Sequence, residues 1–276
     1  MTPPTVLTIA PGLSRRQYWG DLWRYRELFW MLAWRDVAVR YKQTVFGLAW
    51  ALLQPLATML VFSVVFGRVA RLPTEGSVPY ALMVFAGLLP WMLFATALSG
   101  QANSLLTNAS LISKVYFPRL IIPAATVIVA GVDFLVGLGL LGALMAWNGL
   151  WPTWRLLAAP LMVAMAVLAS VGPGLWMAAM NARYRDFRYV VPFLVQFGVY
   201  VSPVGFSSTV VPDQWRLLYA LNPMAGAIDG FRWALLPDPS PLYVPGFLLS
   251  WGVILVTLWL GVRRFRAVEA TLADLI

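Results

Sequence analysis

The 276-residue chain is 61% hydrophobic and only 11% charged, too few charges to clothe a soluble domain of this length. Its mean hydropathy of +0.75 and its uncharged runs at 47–67, 156–182, 189–211 and 239–262 point instead to an integral membrane protein. The net charge of +9 lies in short clusters beside those runs, which fits a membrane surface and speaks against a nucleic-acid partner.

Backbone polar groups in hydrocarbon must be bonded within their own segment, so the apolar runs predict helices. The short alternating segments of a transmembrane barrel are missing. The expected fold class is therefore all-α, with about six transmembrane helices. Residues 1–17, rich in proline, read as a flexible tail. Residues 18–44 predict an amphipathic helix in the membrane interface. Trp19, Trp23, Trp30, Trp34, Val37 and Tyr41 share one face, Asp21, Arg24 and Arg35 take the other, and Leu28 and Met31 interrupt the polar side. A helix packed on other protein is the alternative.

A six-span domain is expected over 45–262. Its spans are 45–67, kinked at Gln54-Pro55, then 78–100 with Pro90, 119–147, 156–180, 189–206 and 243–262. Between the last two, 207–242 is broken by Asn222-Pro223 and Pro237 and predicts one or two short helices dipping at most partly into the membrane. Residues 263–276 are a terminal tail. No cleavable signal peptide is expected, because a charged, aromatic-rich stretch precedes the first apolar run. Fifteen of the 20 Lys and Arg residues fall in 1–46, 101–119, 181–188 and 263–276. The positive-inside rule then puts both termini in the cytoplasm.

Absences narrow the chemistry. Without histidine or cysteine there is no Ser-His or Cys-His nucleophile, no disulfide, and no His- or Cys-based zinc site. The only lysines, Lys42 and Lys114, do not follow glycine, so no phosphate-binding loop exists. Any ATP used must be hydrolysed on another chain; neither catalytic residues nor a metal or cofactor are expected here. Asp133 is the one acid inside an expected span, which rules out an acid dyad or a proton relay. It reads either as a polar contact or moving helix–helix clamp, or as a structural hydrogen bond.

Two helical stripes combine aromatic rings with amides. One is Tyr189, Phe193, Gln196, Phe197 and Tyr200; the other is Trp50, Gln54, Thr58, Phe62 and Phe66. Sugar C–H groups stack on aromatic faces and can slide along them, so a glycan channel is one reading. Lipid contact or helix packing is the other, although lipid-facing glutamines would be costly.

Residues 35–56 run Arg35-Asp36-Val37-Ala38-Val39-Arg40-Tyr41-Lys42-Gln43-Thr44-Val45-Phe46-Gly47 and on to Gln54-Pro55-Leu56. This stretch resembles the membrane subunits of bacterial ABC polysaccharide exporters, the Wzm/TagG-like permeases of O-antigen, teichoic-acid and capsule-type glycans. Lys114-Val115-Tyr116-Phe117-Pro118-Arg119, Arg183-Tyr184-Arg185-Asp186 and the region from Asn222-Pro223 to Trp233 resemble the same family. The resemblance implies a homodimer joined to two ATP-binding subunits that carry ATP and Mg. It implies outward movement of a lipid-linked (undecaprenyl-type) glycan across the bacterial inner (plasma) membrane. It also implies ATPase coupling through Lys114, Tyr116, Arg119, Arg183, Arg185 and Asp186, with Arg35 and Asp36 on the N-terminal helix, and external gate helices within 207–242. Topology signalling by positive charge is the plainer account of the basic segments.

Three rival functions are weaker. The long match at 35–56 speaks against a permease for drugs or small lipids. A lipid-modifying transferase would need a cluster of polar catalytic groups, and none is evident. A scaffold leaves Gln54-Pro55 and Asp133 unexplained.

Overall fold

A computed structural model describes residues 15–42, 47–184 and 186–269, with side chains from 18 and, after the first break, from 52. The apolar runs become long helices. α1 (Arg15–Arg24) and α2 (Arg26–Lys42) are nearly one rod, because the Tyr25 N–H still donates to the Asp21 carbonyl at 2.9 Å. α3 (Gly47–Phe62) carries Pro55 and widens into a π-helical turn at Ser63–Val69. α4 (Tyr80–Thr107), the single turn α5 (Ala109–Ile112) and α6 (Ile121–Trp147) follow. A 3₁₀ turn, Trp154–Ala158, leads into α7 (Ala159–Arg183), and α8 is Phe187–Val201. The expected short helices are α9 (Asp213–Tyr219) and α10 (Pro223–Leu235), and α11 (Val244–Glu269) completes the chain order. Asn222 caps α10 by accepting from the Met224 N–H at 3.0 Å, and Pro223 occupies its first turn. No β-strand occurs among the described residues.

Five helical stretches, 52–69, 80–107, 121–147, 154–183 and 244–269, are long and apolar enough to cross a membrane. The fifth expected span, 189–206, is shorter as a helix than its apolar run. α8 has 15 residues, about 22 Å of helix against a hydrocarbon core of roughly 30 Å. The chain turns out of helix at Ser202, whose hydroxyl accepts from the Asn222 amide at 2.9 Å.

α4 is the axis of the bundle. It is apolar on every side over its first half, and a helix of that kind must be buried all round. Phe134 and Leu141 of α6, Met165 and Ala169 of α7, Phe231 of α10 and Ile254 of α11 join it in the main core. α7 and α11 touch backbone to backbone. A Cβ placed on Gly261 would lie 2.1 Å from the Gly172 carbonyl oxygen, so only glycine permits this approach.

The N-terminal helices have two apolar faces rather than one. Trp23 and Trp34 are 73% and 74% exposed, while Leu32 and Ala33 are buried with Leu105, Phe117, Ile121 and Phe265. Leu28, which breaks the polar side of the wheel, packs on this second cluster. The outward tryptophan face and the packing on protein therefore coexist.

The connections sort to the two ends. At one end the Arg119 N–H donates to Glu269 Oε1 at 2.8 Å, and the Tyr18 hydroxyl donates to the same oxygen at 3.1 Å. Segment 108–120 and the last turns of α7 gather there with the N-terminal helices. At the other end Tyr80 donates to the Gly205 carbonyl and Arg155 lies over the Trp233 ring.

Candidate functional site: a polar groove beside α4

Past its apolar half, α4 turns a polar face outward. Thr96, Ser99, Asn103 and Thr107 recur every three or four residues, which places them on one side of a helix. They line a groove of about 950 Å³ whose other walls are Gln54 and Thr58 of α3, Thr126 of α6 and Gln196 of α8. Several of these groups bond to their own helix. Thr58 donates to the Gln54 carbonyl at 2.9 Å, and the Asn103 amide donates to the Ser99 carbonyl at 3.0 Å. Asn103 Oδ1 also accepts from the Asn181 amide of α7 at 3.3 Å.

The groove changes character along its length. At one end it is apolar, with Leu88, Trp91 and Met92. Trp91 fits there because α8 has Gly198 beside it; a Cβ at that glycine would sit 2.5 Å from the ring. At the other end stand Arg35, Asp36 and Arg40 of α2. Arg35 donates to Asp36 Oδ1 at 2.7 Å and to Asn108 Oδ1 at 2.7 Å. Asn108 is buried at the end of α4, where its amide donates to the Ser104 carbonyl at 2.9 Å. The charged mouth is thus tied to the polar helix.

Asp133 is paired. Arg40 forms an ion pair with it at 2.5 Å, and the Tyr41 hydroxyl donates to its other oxygen. Burial and this hydrogen bond push the Tyr41 phenol up to about 12, so it stays a donor. Asp133 is therefore the α6 side of a clamp that holds the end of α2.

The expected site residues divide. Gln54 and Gln196, on separate stripes in the sequence, face the same groove. The rings do not join them. Tyr189, Phe193, Phe197 and Tyr200 are 65%, 54%, 57% and 59% exposed on the neighbouring face of α8, with the Phe193 and Phe197 rings tilted against each other at 4.4 Å. Phe62 packs into the core, its ring against Phe66 and Tyr200, and does not line the groove. Phe66 packs on that core and over Gly205, also away from the groove. The Trp50 side chain and Arg185 lie outside the described residues.

Lys114, Tyr116, Arg183 and Asp186 are exposed at the end that carries the groove mouth. Arg119 is turned inward, where its guanidinium and N–H both bond Glu269.

Two features escape sequence reasoning. The polar face of α4 had a signal in its spacing, but it straddles residue 100, where the apolar run ends. Arg232 gave none. It is fully buried at the opposite end and donates to the carbonyls of Met83, Val204 and Phe206 at 3.0, 2.8 and 2.9 Å. Glu75, itself 5% exposed, lies 3.6 Å away, and Gly87 makes room for the guanidinium. Beside this anchor a small cavity of about 70 Å³ is lined by Glu75, Arg216, Tyr219 and Asp229. Burial, reinforced by Glu75, pushes the Asp229 carboxyl up to about 7 against the opposing pull of Ser208 and Arg232. No acid cluster able to hold a metal ion occurs among the described residues.

Between its apolar end and its charged mouth the groove offers the neutral amides and hydroxyls of Gln54, Thr58, Thr96, Ser99, Asn103 and Gln196. Such a surface can bind and pass a hydroxyl-rich molecule. The chain matches the ABC-2 type transporter family over residues 27–236, which include both the groove and the Arg232 anchor. It is 28% identical over 260 residues to the O-antigen export system permease protein RfbA of Myxococcus xanthus, covering 92% of this chain and 97% of that one. A protein of the same description from Klebsiella pneumoniae is 28% identical over 223 residues, covering 78% and 85% of the two chains. The polysialic acid transport protein KpsM of Escherichia coli is 22% identical over 243 residues, covering 85% and 91%. With five helices fit to cross a membrane and a family match over most of its length, the chain is a multi-pass membrane protein and belongs to the ABC-2 type transporter family.

Proposed function

We propose that this chain is the permease subunit of an ATP-driven exporter that moves a lipid-linked (undecaprenyl-type) polysaccharide across the bacterial inner membrane. The observation that carries the proposal is the groove, walled by amides and hydroxyls from four helices and lined by apolar residues at one end. The printed functions of the relatives, O-antigen export and polysialic acid transport, support the same cargo class.

The rest follows from what this chain lacks. It has no phosphate-binding loop, so ATP and Mg belong to two separate ATP-binding subunits. Those subunits dock at the end exposing Lys114, Tyr116, Arg183 and Asp186, which puts both termini in the cytoplasm with the charged groove mouth. α3 is the least buried of the long apolar helices and forms one open wall of the groove. A second copy laid against α3 and α8 closes the wall. It also brings the exposed rings of α8 to the seam, where they can stack on passing sugars. The cap formed by α9 and α10 stands at the exit.

The test is a chromosomal Gln54→Leu/Gln196→Leu double variant in the source bacterium. The expected result is a severalfold loss of surface glycan, with lipid-linked glycan accumulating inside and permease abundance unchanged. Normal surface glycan with altered efflux of small amphiphiles would overturn the cargo and favour a drug or small-lipid exporter.

A further inference from the structure

α6 and α7 follow one another in the chain, but both lean on α4 and barely meet. An apolar furrow of about 670 Å³ lies between them, floored by Leu93 of α4 and Phe231 of α10. It continues past Leu138 and Leu156 into a second hollow of about 370 Å³, and every residue lining either is uncharged. From Val127 to Ala146 the α6 wall of the furrow runs for about 28 Å of helix, close to the roughly 30 Å of a bilayer's hydrocarbon.

Two further observations say what fills it. Gly131 and Gly142 stand on the α6 wall, and a Cβ at either would meet nothing within 4 Å. These glycines widen a space that the chain itself leaves empty, and unfilled apolar walls lose dispersion contacts. At one end of the furrow Trp151 and Trp154 are 71% and 76% exposed, as rings at headgroup depth are. Arg155 stands among them. Its guanidinium lies 5.7 Å from the Trp233 ring centroid and makes no ion pair among the described residues.

We infer that the furrow is a binding site for an anionic phospholipid, with an acyl chain between α6 and α7 and the phosphate against Arg155. The lipid completes the seam between the two helices, on a face separate from the polar groove.

Native mass spectrometry of the full-length chain, extracted with phosphatidylglycerol and phosphatidylethanolamine in equal amounts, tests this. The wild type is expected to keep one phospholipid and to favour phosphatidylglycerol roughly fivefold, the preference one interfacial cation supplies. Gly131→Leu fills the furrow and is expected to lose that lipid, while its unfolding temperature holds or rises. Arg155→Gln is expected to keep a lipid but lose the preference. Undiminished lipid in Gly131→Leu, or an unchanged preference in Arg155→Gln, would overturn the site. So would disulfide-linked dimers of Gly131→Cys in this cysteine-free chain, since protein would then occupy the furrow.

Discussion

Arg232–Glu75 and Arg40–Asp133 both join an arginine to a carboxylate, at opposite regions of the same bundle and in opposite surroundings. The first pair is 0% and 5% exposed, and its arginine also serves three backbone carbonyls. The second is 47% and 17% exposed, beside an open groove. A buried pair contributes through what would be left unpaired without it, whereas a half-exposed pair can exchange its partner for water. The cap made by α9 and α10 is thus locked to α4, while the end of α2 is held to α6 by a contact that can open. In a transporter, that difference separates a fixed strut from a part free to move.

Breaking the strut should have the largest effect. Arg232→Met leaves Glu75 and the carbonyls of Met83, Val204 and Phe206 buried and unpaired, a cost of about 3–5 kcal/mol. Membrane abundance and unfolding temperature should both collapse. Arg232→Lys should not restore them, because an ammonium cannot reach divergent carbonyls as a planar fork does. A stable Arg232→Met protein would mean that the cap is held by apolar contacts alone.

Asp229 sharpens the account of the same end. Its carboxyl is raised from 3.8 to about 7, so between those values the native chain binds a proton that the unfolded chain has released. Stability should therefore fall as pH rises from about 4 to about 7 and stay level above. Asp229→Asn keeps the shape without the charge. It should flatten that slope in thermal unfolding and gain most at pH 8. An unaltered slope would assign the dependence to other groups.

How legible was each end beforehand? The long helices were, because twenty uncharged residues in a row leave the backbone few choices. So was the break at Asn222-Pro223, where a capping side chain precedes a proline suited to a first turn. Gln54 and Gln196 stand out as costly in lipid, and both line one groove. The rings beside them follow the same helical spacing yet face elsewhere. On helices of 3.6 residues per turn, neighbouring stripes differ by only some tens of degrees, and the π-helical turn after α3 adds a rotation that no local pattern announces. Arg232 was illegible for another reason. Its partners come from Glu75, Met83, Val204 and Phe206, so its burial exists only once distant segments assemble.

The movable pair should give a smaller effect on stability and a larger one on motion. Asp133→Asn removes the charge from an ion pair exposed on its arginine side, worth about 1 kcal/mol, and leaves an amide oxygen that can still accept from Tyr41. Global unfolding should shift little. Amide exchange across 26–42 should quicken, because α2 keeps only Leu32 and Ala33 as fully buried contacts of its own. Strong destabilisation without local loosening would make Asp133 a strut like Glu75.

The smallest effect on the fold is expected at Arg183, which differs from Arg119 as the movable pair differs from the locked one. Both belong to the basic end, and sequence alone offers both as contacts for an ATP-binding partner. Arg119 bonds Glu269 through its N–H and its guanidinium, while Tyr18 bonds the same carboxylate, so it joins α1, the start of α6 and the end of α11. Arg183 is exposed at the end of α7, with its guanidinium 5.4 Å from the Tyr184 ring. Arg183→Glu should therefore leave abundance and unfolding temperature unchanged. If that end receives the ATP-binding subunit, co-purification of the subunit should drop, since charge reversal at an interface costs affinity without disturbing the fold behind it. Arg119→Glu should lower abundance and co-purification together. Loss of the partner in Arg119→Glu with abundance intact would put that residue at the docking surface after all, and an unaffected partner in Arg183→Glu would move the dock away from the α7–α8 turn.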